Sequence, residues 1–175
     1  MHATLITLDP GTTETAWLEW SIAEAKPLDW GILPSLEIID LLEFKHPGYV
    51  VCEAITSYGM AVGREVFETA YWIGEYRGHC RDRGHCRDRA PFILVPRLNV
   101  KVHLCGTAKA KDANIRQALI DRFGPQGTKK APGPLYGIKS HCWSALAISV
   151  WAADNLARLS VYAEQGVSGT TRATT

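Results

Sequence analysis

Residues 4–8 alternate apolar and polar side chains and break at Asp9-Pro10-Gly11, the pattern of a strand that ends by delivering a carboxylate to a turn. Tyr49–Cys52 is a short, mostly apolar, β-branched run that suits a buried strand, and it delivers a second carboxylate, Glu53. If the two strands pair in parallel, Asp9 and Glu53 stand side by side at their ends. The segments around them complete the plan. Thr15–Trp20 reads as the hairpin partner of the first strand and Trp30–Leu33 as a third strand. Ser35 is placed to cap a short helix carrying Leu36, Ile39 and Leu42 through Phe44, which Pro47-Gly48 stops. Further helices are predicted over Val62–Tyr76, from Asp112 as N-cap to Phe123, and over Cys142–Leu159, with a buried strand at Phe92–Val95. Three meandering strands followed by alternating helices and strands imply an α/β fold, one mixed sheet with helices on its faces.

At 175 residues and 46% hydrophobic, the chain is long enough for one domain with a sizeable core, expected over residues 1–160. No apolar run approaches the ~20 residues that span a bilayer. The first ten residues lack the layout of a secretory signal, so no membrane association and a cytoplasmic location, in a bacterium or a phage-infected host, are expected. Five scattered cysteines make an odd number and read as free thiols. The net charge of +1 conceals a division: residues 1–76 hold 3 Lys/Arg against 12 Asp/Glu, and residues 77–130 hold 13 against 4. An acidic half that can hold a cation and a basic stretch that can face a polyanion suit a nucleic-acid-processing enzyme, although two oppositely charged faces pairing with each other would leave the same signature.

Three segments fall outside the plan. Residues 124–139 contain four Gly, three Pro and three Lys and read as a mobile basic loop able to lie along phosphates. The tail, residues 161–175, lacks apolar periodicity and is expected to be disordered. The hexapeptide Gly-His-Cys-Arg-Asp-Arg at 78–83 is repeated at 84–89. Adjacent His and Cys do not easily face one zinc ion and the spacing fits no ordinary finger, so the repeat reads as a duplicated surface turn.

Paired carboxylates at adjacent strand ends make a hard-oxygen site, because binding an ion such as Mg²⁺ or Mn²⁺ relieves their repulsion. Alone, each acid would read as a turn residue or a cap. Taken with the first-strand Leu-Asp-Pro-Gly-Thr-Thr, the Cys-Glu-Ala-Ile at 52–55, the Gly- and Lys-rich His103–Asp112 and the Ser-Ala-Leu-Ala-Ile-Ser run at 144–149, the pattern resembles the RuvC-like Holliday-junction resolvases of the ribonuclease-H-like superfamily. The resemblance runs from Thr4 to about Ala157. It implies a ribonuclease-H-like mixed sheet, a three-strand meander plus parallel strands, and a divalent-metal-dependent endonuclease that resolves four-way DNA junctions as a homodimer. The family places two acids three residues apart ahead of the Ala-Leu-Ala of its last helix, where this chain has His141 and Ser144.

The expected metal ligands are therefore Asp9, Glu53 and His141, the imidazole either ligating the ion or carrying a proton, with Asp112 as the further acid. Phosphate contacts are expected from Arg97, Lys101, Lys109, Lys111, Lys129 and Lys130. Tyr58 follows Glu53 in a Gly-containing loop, where an aromatic ring can stack on an unpaired base or pack into the core. The helix over Val62–Tyr76 has more apolar surface than one core face uses and is the expected dimer contact. Two other readings stay open: a branched-DNA-binding protein that has lost catalysis, favoured by the missing acid at 144, and a fragment of an actin-like ATPase or sugar kinase, whose first phosphate turn Asp9–Thr13 also resembles.

Overall fold

Alternation along β1 (Thr4–Pro10) sends Leu5, Thr7 and Asp9 to one face of a sheet and Ile6 and Leu8 to the other. The computed structural model describes residues 4–56, 59, 61–82 and 90–159. β1 is the middle strand of five, in the order β3-β2-β1-β4-β5. β2 (Glu14–Ser21) and β3 (Lys26–Pro34) run antiparallel beside it, while β4 (Tyr49–Ala54) is parallel to β1 and β5 (Phe92–Pro96) parallel to β4. This is the expected meander plus parallel strands. One face buries Ile6, Leu8, Trp17, Val50 and Cys52 under α1 (Glu37–Lys45) and α2 (Arg64–Asp82). The other buries Leu5, Leu18, Trp20, Val51 and Val95 under α3 (Arg97–Cys105), α4 (Asp112–Phe123) and α5 (Cys142–Asp154).

The structure corrects several boundaries. β3 begins at Lys26, not Trp30. α2 continues to Asp82 and takes in residues 78–82 of the first hexapeptide copy, because Ile73, Tyr76 and Cys80 keep the helical spacing of buried residues. Ser35 does not cap α1: its hydroxyl meets that of Thr15 at 3.2 Å, and the N-cap is Leu36. Nor is Asp112 the cap of α4, since it is the first helical residue behind Lys111, whose N–H donates to the Asn114 side chain at 2.9 Å. Helix α3 was not expected at all, since exposed Leu98 and Val102 blur its apolar spacing. The basic loop is tethered rather than loose: Leu135 and Ile138 are buried, and the Gln126 side chain donates to the Ile138 carbonyl at 2.9 Å. Its centre is a small hairpin, β6 (Gly127–Thr128) and β7 (Ala131–Pro132), with Lys129 and Lys130 at the tip. The second hexapeptide copy, residues 84–89, and the tail over 161–175 lie outside the described residues.

What seats α5 on the sheet is a polar pin in an otherwise apolar core. The Thr7 hydroxyl donates to the Ala145 carbonyl at 2.8 Å and lies 2.7 Å from the Ser149 hydroxyl, which itself reaches the Ala145 carbonyl at 2.9 Å. All three groups are buried, so a methyl in place of the Thr7 hydroxyl leaves the partners short of a hydrogen bond. Thr7→Val is expected to cost about 1–3 kcal/mol, read as a lower midpoint with an unchanged slope in urea unfolding. A loss under about 0.5 kcal/mol would show that the pin does not hold the helix.

Candidate active site

The period of two that orders β1 and β4 puts Asp9 with Leu5 and Thr7, and Glu53 with Val51, on the α5 face. β1 and β4 pair in parallel through Leu8 and Cys52, so the next residues on the two strands are Asp9 and Glu53. Gly11 closes the turn behind Asp9, its N–H donating to the Glu14 carbonyl at 2.9 Å. A Cβ there would meet that oxygen at 2.7 Å, which excludes other residues. The Trp72 indole N–H donates to the Thr12 carbonyl at 2.9 Å and ties the same turn to α2.

Both acids are largely withdrawn from solvent. Burial raises the Asp9 carboxyl above the usual carboxylate range, against the opposing charges of His141 and Arg97. Burial and then the charge of Asp9 raise Glu53 in the same direction. The backbone before α5 brings His141 to Asp9, with Nδ1 and Oδ2 3.2 Å apart. Ser144, one turn on, adds a hydroxyl hydrogen bond to Asp9.

β5 ends at Pro96, and Arg97 begins α3 on the Glu53 side of the sheet. Its Nη1 donates to both Glu53 oxygens, at 3.2 and 3.0 Å, and its Nη2 donates to Asp112 Oδ1 at 2.6 Å. Arg97 thus lies within the acid cluster. One guanidinium joins the second strand-end acid to the first residue of α4, and Asp9, Glu53, Asp112, Arg97 and His141 form one connected edge. Lys101, one turn along α3, lines an open cleft of about 480 Å³ together with Asp9, Glu53 and Arg97. Lys109 and Lys111 are exposed in the turn before α4, and Lys129 and Lys130 are exposed at the hairpin tip. Tyr58 lies outside the described residues.

Among the described residues no group of three or more His, Cys, Asp or Glu converges as a metal site. The donor chemistry still fits one hard cation. Two desolvated carboxylates, each held above its ordinary pKa, share a strand-end edge, and the charge that now offsets them is the Arg97 guanidinium. Sequence reasoning passed over Thr7 and Ser149, which set the height of α5, and the pairing of Arg116 with Trp143 beside the site. Arg116 could have been marked by its position one helical turn after Asp112.

No protein-family model and no curated protein matches the sequence. Among solved structures, the fold is similar to that of Thermus thermophilus RuvC, with a TM-score of 0.62 and 19% identity over 93% of this chain and 96% of that one. T. thermophilus RuvC in complex with a Holliday junction substrate gives 0.60 and 18% over 90% and 96%. The yeast mitochondrial Holliday junction resolvase Ydc2 gives 0.58 and 13% over 95% and 85%. The fold is therefore the RuvC-like, ribonuclease-H-like arrangement that the strand-end motifs implied.

Proposed function

We propose that this chain is a divalent-metal-dependent endonuclease that cuts branched DNA, with four-way junctions as its substrate. The observation that carries the reading is the register of β1 and β4, which brings Asp9 and Glu53 together beneath His141 on a RuvC-like fold. Asp9 and Glu53 would hold Mg²⁺ or Mn²⁺, which when bound supplies Lewis-acid stabilisation of the phosphodiester and lowers the pKa of water. Asp9 orients the His141 ring through Nδ1, leaving Nε2 as the nitrogen that takes a proton from the attacking water or returns one to the leaving oxygen. Arg97 donates to both Glu53 oxygens before substrate arrives, and its exchange of Glu53 for a phosphate oxygen would free Glu53 as a ligand.

Lys101 in the cleft, Lys109 and Lys111 before α4, and Lys129 and Lys130 at the hairpin tip are the phosphate contacts. Lys129→Ala with Lys130→Ala is expected to lower the log–log salt slope of DNA binding by about 2, because each phosphate contact is worth about 0.9. The loss should be the same for every DNA sequence. A four-way junction is near two-fold symmetric, so paired cuts call for a C2 homodimer. The exposed Phe67 and Tyr71 of α2 are the apolar surface such a contact would use.

One observation favours the second reading, a junction-binding protein without catalysis: the lack of a three-donor group among the described residues. A gel assay with a synthetic four-way junction and a linear duplex, with and without Mg²⁺ or Mn²⁺, separates the two. Cleavage of the junction only with metal is expected. A junction bound but uncut in either ion selects the binding protein, and a junction not bound in preference to the duplex overturns the assignment to branched DNA. Among the described residues no helix is long and apolar enough to cross a membrane.

A further inference from the structure

On the far side of Arg97 from the carboxylate cleft lies a second one of about 670 Å³, between the first turns of α4 and α5. Its walls carry a built platform. The Arg116 guanidinium sits over the Trp143 ring, 4.8 Å from the centroid. Arg116 Nη2 donates to Gln126 Oε1 at 2.9 Å, and Gln126 is itself fixed by donating to the Ile138 carbonyl at 2.9 Å. The guanidinium is therefore held by both a ring and a hydrogen bond whose acceptor is pinned to backbone. A planar cation anchored in this way offers a face on which a nucleobase stacks, as aromatic rings and arginine planes do in single-strand recognition.

The charge and position of the cleft select the same occupant. Arg97, Arg116 and Lys139 line it, and its one acid, Asp112, is engaged by Arg97. The cleft also shares Arg97, Asp112, His141 and Ser144 with the carboxylate edge, so a strand with its phosphate at Asp9 and Glu53 would run directly past it. Its volume falls within the range of small-molecule pockets, about 300–1,000 Å³. A paired base cannot enter, because its faces are covered by its neighbours in the duplex.

We propose that this cleft is a nucleotide subsite: it seats one unpaired nucleotide of the strand being cut, next to the scissile phosphate, with the base on the Arg116–Trp143 platform and its phosphate against Arg97 and Lys139. The proposal rests on the branched-DNA reading and extends it, since unpaired bases occur at a strand exchange point and not in intact duplex. Arg116 and Trp143 are positioning residues in this scheme, and they select which phosphate is presented to the carboxylates.

The test uses the full chain and four-way junctions carrying 4-thiothymidine singly at positions on either side of the cut. Irradiation is expected to crosslink one position adjacent to the cut to Trp143, found by mass spectrometry in the tryptic peptide from Ser140 to Arg158. Arg116→Ala is expected to lose that crosslink by about fivefold or more, and Arg116→Ala and Trp143→Phe should both still bind the junction. Both should also spread cleavage over neighbouring phosphates, a change that a merely structural role would not produce. Thermal melting of each variant shows that it remains folded. Crosslinks that fall only outside the cleft, on a junction that is bound and cut, overturn the subsite and leave the endonuclease reading intact. A junction that is not bound overturns both.

Discussion

Asp9→Asn should abolish junction cleavage, by about a thousandfold or more, while junction binding should stay within a few fold of the parent chain. The lost charge removes several kcal/mol of metal-dependent stabilisation of the transition state, and every ~1.4 kcal/mol is a factor of ten in rate. The lysines proposed to hold phosphates are untouched, so binding should survive. Without metal, the same substitution should raise the melting temperature. Burial lifts the Asp9 carboxyl above its ordinary pKa, so the folded state disfavours its charge, and a neutral amide removes that cost. The stability that accompanies the proton is complete below the unfolded-state carboxylate pKa and is lost as pH rises through the higher folded value. The difference in melting temperature between Asp9→Asn and the parent should therefore be present at neutral pH and shrink on acidification. Glu53→Gln is expected to follow in activity, but with a smaller gain in stability, because it breaks the two-oxygen contact with Arg97. Undiminished cleavage by either variant would remove the site from the carboxylate edge.

His141→Ala should lower cleavage by about a hundred- to ten-thousandfold, the usual worth of a positioned proton carrier. His141→Asp should retain activity by restoring a carboxylate next to Asp9. Full activity in His141→Ala would show that α5 does not complete the site and would turn attention to Asp112, which already reaches Glu53 through Arg97.

Asp9 and Glu53 were readable in the sequence because their placement depends on local signals, a period of two ending at a turn and a β-branched run ending at an acid. The order of elements followed from the same signals and survives in the structure with changed ends and with α3 and the β6–β7 hairpin added. Arg97 was readable as a basic residue but not as a member of the acid cluster, because its position depends on α3, whose exposed Leu98 and Val102 mask a helix that begins immediately after Pro96. The extension of α2 was in principle visible, since Cys80 stands four residues after Tyr76, but the repeat beginning at Gly78 drew the boundary too early. Arg116 and Trp143 lie 27 positions apart and meet only because α4 and α5 pack together, which no local pattern encodes. The pin between Thr7 and Ser149 is likewise a contact between ends of the chain, and each residue alone is an ordinary hydroxyl in an apolar run.

That pin decides which half of the cluster can move. β1 is bonded on both edges through Leu8 and clamped through Thr7 to α5, so the stretch of strand that leads into Asp9 is exposed only by a large cooperative opening, and Asp9 behaves as the stationary side of the cluster. On the other side, Glu53 also stands on a strand bonded on both edges, but the Arg97 side chain that joins it to α4 can exchange partners without disturbing a backbone hydrogen bond. On the proposed function, accommodation of differently shaped DNA branches would therefore come from the Arg97 side, through side-chain rearrangement on the nanosecond scale and helix adjustment on slower ones. The strand that carries Asp9 stays in register throughout.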